Sequence, residues 1–227
     1  DAMSRFIESN GGLIKLSSPV INIIPSKISG AKIKTPKGEH SYDLVISTIP
    51  LPLIGKIFEK SKINKFIINR YKKLNYVACA CVILKTRKKI TNNFWTNIND
   101  DRFNIPGIIE MSNLRKLPIH ITYIPFYIPR DHPDYLREDE FFISDAWACI
   151  NAINTELDKK DLIASHCSRY SYAQPICGTN FKNQLPEKEP FKGIFTVDTT
   201  VYYPEDRGIS ESIDYGRELV RLILKNK

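Results

Sequence analysis

Gly193-Ile194-Phe195-Thr196-Val197-Asp198-Thr199-Thr200, followed by Tyr203-Pro204-Glu205-Asp206-Arg207-Gly208-Ile209-Ser210-Glu211-Ser212-Ile213, reads as a strand, a polar loop and the start of a helix. Ile194, Phe195 and Val197 suit a buried strand, and Asp198 falls where that strand gives out. Gly208 allows close backbone approach, Ser210 or Ser212 can cap, and Ile213, Leu219, Val220, Leu222, Ile223 and Leu224 give the helix an apolar face. The free amides of such a helix start favour an anion or an electron-rich carbonyl oxygen. The same residues also fit an ordinary strand-turn-helix whose acid and serines serve only as caps.

This segment resembles the C-terminal flavin-binding signature of the amine oxidase and protoporphyrinogen oxidase superfamily. The resemblance implies that Asp198 meets the ribityl and diphosphate region of FAD. It also implies that Gly208, Ile209 and Ser210 face the pyrimidine edge of the flavin. One residue departs from the pattern, since Val197 stands where the family usually has glycine before its acid.

The other end of the chain is similar to the same family. Met3, Phe6 and Ile7 sit at helical spacing before Gly11-Gly12, then come Leu13-Ile14-Lys15-Leu16 and Pro19-Val20-Ile21-Asn22-Ile23. The resemblance implies a helix, a glycine turn, a short strand at residues 13–16, and Val20 offering its backbone to the adenine ring. Tyr42-Asp43-Leu44-Val45-Ile46-Ser47-Thr48-Ile49-Pro50 resembles the strand that re-enters the nucleotide-binding domain. Each piece is common in α/β proteins, and their order along the chain carries the evidence.

No Gly-x-Gly-x-x-Gly element follows any strand, and that loop cradles the diphosphate in a dinucleotide fold. The chain also begins inside a helix pattern, with no signal-peptide or transit-like segment. The expectation is the C-terminal part of a longer flavoprotein, whose isolated piece binds FAD poorly or not at all. The expected fold class is α+β, an α/β remnant plus a mixed sheet. Residues 1–54 and 191–227 would form part of an FAD-binding domain, and residues 55–190 an inserted substrate-binding domain.

With 42% hydrophobic and 11% aromatic residues, the 227-residue chain has enough apolar material for one large or two small cores. No apolar run approaches membrane-spanning length, and a cytoplasmic location is expected. Five cysteines without Cys-x-x-Cys spacing indicate neither a disulfide framework nor zinc. Cys79 and Cys81 alternate within one strand pattern and read as packing residues.

The net charge of +8 is local: residues 56–90 hold eleven Lys or Arg against the single acid Glu59, leaving the rest of the chain at −2. Ile57, Phe58, Ile63, Phe66, Ile67, Ile68 and Tyr71 read as the apolar face of one amphipathic helix. Its lysine-rich opposite face fits a solvated surface or a peripheral contact with an anionic membrane or acidic partner. Nucleic acid is not expected, because no recognised binding module accompanies the charge.

In the middle of the chain, residues 91–98, 107–111, 120–128 and 164–173 read as strands and residues 141–153 as a helix. If the strands at 120–128 and 165–173 are neighbours, Tyr123, Tyr127, His166, Arg169, Tyr170 and Tyr172 share a surface. Tyr123, Tyr127, Arg169 and Tyr172 are the candidate substrate residues, since aromatics with one arginine suit a planar or anionic small molecule. The alternative is structural, with tyrosines finishing a core edge and Arg169 paired to a carboxylate. His132 lies in a polar turn, and scattered His40, His120 and His166 supply no ligand pair, so no metal is expected. Gly-x-Ser-x-Gly is likewise missing.

The combined expectation is a fragment of an FAD-dependent oxidoreductase that passes a hydride equivalent from a small-molecule substrate to flavin, with no catalytic acid or base identifiable. A flavin-dependent sugar-nucleotide mutase or carbohydrate-biosynthesis enzyme of the same fold, and a non-catalytic interaction module, are the alternatives.

Overall fold

The computed structural model describes residues 1–225, so the last two positions of the expected 191–227 segment lie outside the described residues. Along the chain run α1 (Ala2–Ser9), β1 (Asn22–Pro25), β2 (Ala31–Thr35), β3 (Gly38–Tyr42), β4 (Val45–Ser47), α2 (Leu51–Phe58) and α3 (Lys65–Lys72). Next come β5 (Tyr76–Thr86), β6 (Trp95–Asn97), β7 (Gly107–Glu110), α4 (Met111–Leu114), β8 (His120–Pro129) and α5 (Asp139–Ile153). The chain ends with β9 (Leu162–Pro175), α6 (Phe181–Gln184), β10 (Ile194–Thr196) and α7 (Ile209–Lys225). It divides into two compact units, one of Asp1–Leu74 with the chain from Cys177 onward, the other of Asn75–Ile176.

In the first unit, β1, β2 and β3 form an antiparallel meander. Separately, β4 and β10 pair in parallel, Val45 opposite Ile194 and Ser47 opposite Thr196, so distant parts of the chain share a sheet. Two glycines with positive φ permit the approach: Gly30 at +71° and Gly193 at +77°. A Cβ on Gly193 would lie 2.6 Å from the Gly30 amide nitrogen and 2.8 Å from the Asp43 oxygen. Phe195, Val197, Leu219 and Ile223 pack β10 against α7.

The basic stretch forms two helices rather than one. Ser61 binds the Asn22 side chain and donates to the Ile23 carbonyl at 2.6 Å, tying the chain to β1, and the Asn64 side chain accepts from the Phe66 amide at 2.8 Å to start α3. Residues 13–16 are not a strand either: they have no strand alongside, and Leu13 and Leu16 are exposed.

The second unit is a five-stranded sheet in the order β6-β7-β8-β5-β9, antiparallel at each of its four pairings. Among the described residues parallel pairing is confined to β4 and β10, so this sheet is antiparallel rather than mixed. In β5, Tyr76, Ala78, Ala80, Val82, Leu84 and Thr86 are buried and alternate with half-buried residues, as a strand covered on one face requires. Phe142, Ala146, Cys149 and Ile150, spaced three and four apart on α5, meet that face. The ends of the unit are tied by the Ile176 amide, which donates to the Asn75 carbonyl at 2.9 Å. The units divide at Leu74/Asn75 and Ile176/Cys177, against the expected 54/55 and 190/191, so α2, α3 and residues 177–190 belong to the first unit.

Candidate functional site

Asp198 lies two residues past the end of β10, after Val197, and its carboxylate is engaged by the protein. One oxygen accepts the Leu51 amide at 2.8 Å, and the other accepts the Thr200 amide at 2.9 Å and the Thr200 hydroxyl at 2.7 Å. It therefore stabilises two helix starts, those of α2 and of the single 3-10 turn Thr199–Tyr202. The capping reading of this acid is thus realised, and a flavin contact would be additional to it.

Val20, in the irregular segment before β1, borders a groove of about 720 Å³. Ile23, Ile33, Val45, Ile46, Ile49 and Ile54 line the groove with it, giving largely apolar walls. Ser47, Thr48 and Ile49 also line it, and Leu51, just beyond, is the donor to Asp198. Val20 and Asp198 thus flank one stretch of backbone at the end of β4.

Gly208, Ile209 and Ser210 do not line the groove. Ile209 and Ser210 form the exposed start of α7, with Ile209 82% exposed, and half-buried Gly208 immediately precedes the helix. The Ser212 hydroxyl donates to the Gly208 carbonyl at 2.8 Å, one turn inside the helix, so neither serine is an N-cap. Among the described residues the Ile209 and Ser210 amides have no protein acceptor, although the Glu211 carboxylate folds back against Gly208. A ligand anion at this helix start would have to displace Glu211.

In the second unit β8 and β9 are not neighbours, because β5 runs between them. The candidate substrate residues consequently separate. Tyr123 and His166 both oppose Ile83, and Tyr127 and Tyr170 both oppose Cys79, so these four share the face away from α5. Ile109 pairs with both Tyr123 and Trp95, extending the row to the exposed Trp95, which the sequence reading missed because strand order was not visible in it. Arg169 opposes Ala80 and lies on the α5 face, where it binds the Asp139 carboxylate at 2.5 Å, the Tyr135 carbonyl at 3.3 Å and the Phe142 ring at 5.3 Å. Tyr172 packs edge-on against Tyr76 with the Arg130 guanidinium 4.7 Å from its ring centre.

Other ionisable groups have structural surroundings. Buried Glu110 accepts the Ile90 amide at 3.1 Å and the Thr91 amide at 2.9 Å, holding the turn after β5. Desolvation pushes the Cys149 thiol up to about 11, with Asp145 and Asp100 adding to it, so it is inert near neutrality. The His132 ring accepts the Asp134 amide at 3.2 Å, as a cap does. Among the described residues no group of three His, Cys, Asp or Glu could hold a metal, and no helix is long and apolar enough to cross a membrane.

No curated protein matches the chain. Solved structures do, at identities that establish fold alone. A candidate protoporphyrinogen oxidase from Exiguobacterium sp. 255-15 aligns with a TM-score of 0.77 at 14% identity, over 99% of this chain and 51% of its own. An oxidoreductase from Methanosarcina mazei aligns at 0.66 and 19% identity, over 87% and 47%. A reduced UDP-galactopyranose mutase aligns at 0.65 and 16% identity, over 82% and 42%. The chain therefore spans about half the length of these proteins. The family model for flavin containing amine oxidoreductase matches residues 1–136, more than half of the sequence, and the chain belongs to that family.

Proposed function

We propose that this chain supplies part of the FAD site and the substrate-facing sheet of an oxidoreductase that takes a hydride equivalent from an organic substrate. The observation that carries the reading is the parallel pairing of β4 with β10, which joins the two stretches whose sequences resemble flavin-binding segments. The residues present fit part of the cofactor. The apolar groove beside Val20 has room for an adenine ring, and the Ile209 and Ser210 amides offer donors to a carbonyl edge. They do not fit the diphosphate, for which the sequence has no Gly-x-Gly-x-x-Gly loop. Bound flavin would supply the two-electron acceptor. The chain's own side chains would bind and orient the substrate.

For the substrate, the reading narrows to Tyr123 and Tyr127, joined by Tyr170 and Trp95 on one sheet face. A row of aromatic rings flanked by Ile83 and Ile109 favours a planar or elongated apolar molecule. Arg169 is assigned instead to holding the loop before α5.

The test is the visible absorption spectrum of the intact gene product, together with that of Asp198→Ala. Flavin bands in the parent and reduced flavin content in the variant support the proposal. Intact protein that purifies colourless and takes up no added FAD would sink it. A melting curve taken alongside shows how much of the Asp198→Ala effect comes through the lost caps, about 1 kcal/mol each.

A further inference from the structure

We propose that the outer surface of α2, α3 and the turn between them docks onto an anionic lipid bilayer. Residues 56–73 contain seven Lys or Arg and one acid, Glu59. Two of the cations are committed: Lys72 pairs with Glu59 at 2.6 Å, and the Arg70 guanidinium donates to the Leu185 and Asn183 carbonyls. The remaining five, Lys56, Lys60, Lys62, Lys65 and Lys73, are exposed. No carboxylate among the described residues lies within ion-pairing distance of them.

The lysines are carried by a fixed platform rather than a loose tail. A Cβ on Gly55 would lie 3.0 Å from the Tyr71 Cβ, so the helices cross closely. Tyr71 and Thr196 join their hydroxyls at 2.8 Å, and Ser61 and Asn64 fix the turn. Between Lys62 and Lys65 on one side and Lys73 two turns away stands Phe66, 71% exposed in the first turn of α3. Beside it is a cleft of only about 90 Å³, lined also by Arg70 and Glu187, whose charges offset one another.

A protruding aromatic ring among lysines that pair with no carboxylate of the described residues matches a soft surface of opposite charge. Lysine acts as a point charge without fixed acceptor geometry, whereas nucleic-acid and protein interfaces favour arginine, and the one arginine here is occupied by carbonyls.

The experiment is co-sedimentation of the 227-residue chain with phosphatidylcholine vesicles, with and without phosphatidylserine. The expected result is binding only where phosphatidylserine is present, weakening as salt is raised. The Lys62→Glu/Lys65→Glu double variant should lower the partition coefficient by at least about 20-fold, since each lysine near such a surface contributes about fivefold. Phe66→Ser should lower it about tenfold while leaving the salt dependence intact. Circular dichroism identical to the parent's guards against misfolding. Equal pelleting with both vesicle types would overturn the proposal, as would a folded double variant that binds unchanged. A parent chain that ignores vesicles yet binds polyglutamate or duplex DNA would overturn it in favour of those partners. None of these readouts depends on flavin.

Discussion

Tyr71 shows how a single polar contact is held inside the first unit. Its ring is fully buried, edge-on to Phe58, and its hydroxyl meets Thr196 on β10 at 2.8 Å. Burial pushes the phenol up to about 12. Tyr71→Phe leaves the Thr196 hydroxyl without its partner and should cost about 1 kcal/mol of unfolding free energy by urea titration, while the Tyr71→Phe/Thr196→Val pair should recover part of the loss. Asp161 carries a pH dependence. Its carboxyl accepts the Asp158 amide at 3.0 Å and lies 3.1 Å from Lys88 Nζ, and these contacts lower its pKa, the backbone hydrogen bond foremost. A depressed carboxyl pKa contributes stability that is complete above the unfolded value, about 3.9, and is lost as pH falls through the lower folded value. Asp161→Asn should therefore flatten the acid limb of the urea midpoint against pH and leave the pH dependence near neutrality unchanged. At this scale the sequence was partly legible. It marked Asp198 from its place after a β-branched run, but both the capping and the flavin readings fitted. Only the Leu51 and Thr200 donors show that capping is realised.

Elements followed local pattern closely wherever one face is buried. The alternation in β5 and the three-and-four spacing in α5 were readable because a sheet face and a helix stripe impose those periods on the residues themselves. Strand order was not readable, since nothing local to β8 or β9 records that β5 intervenes, and that one fact moves Arg169 away from Tyr123 and Tyr127. The break between α2 and α3 was hidden for a similar reason: the residue that fixes it, Ser61, finds its partners on β1, 38 and 39 positions away. The parallel pair is the element most sensitive to backbone chemistry. Gly193 has φ of +77°; its amide donates to the Glu189 carboxylate at 2.7 Å, and its carbonyl receives the Val45 amide at 2.8 Å. Gly193→Ala should destabilise the first unit by more than about 1 kcal/mol, because both the left-handed backbone and the space at Gly30 and Asp43 oppose a methyl group. An unchanged thermal midpoint would mean that β10 does not require this approach to β4.

The two units differ in how completely each covers its own apolar surface. Asn75–Ile176 has a continuous core from Ala78 to Cys167, a five-stranded sheet faced by α5, and ends joined through Ile176 and Asn75. The other unit has a parallel sheet of two strands, and parallel sheets are ordinarily buried on both faces. Val45 and Ser47 use their backbone groups toward β10, so by alternation those of Ile46 point to the open edge of β4. Val20, Ile46 and Ile49 are about two-fifths exposed along the adjoining groove, and α1 buries no residue. Related folds are about twice as long as this chain, which accords with surface left for further polypeptide to cover. Residues 75–176 expressed alone should then melt in one cooperative transition, with dispersed amide resonances. Residues 1–74 joined by a short linker to 177–227 should instead melt broadly and bind a hydrophobic dye, since two strands and an uncovered groove supply too little burial to offset chain entropy. Cooperative melting of the joined piece, with no dye binding, would show that the β4 edge and its groove are stable as they stand and call for no further strand.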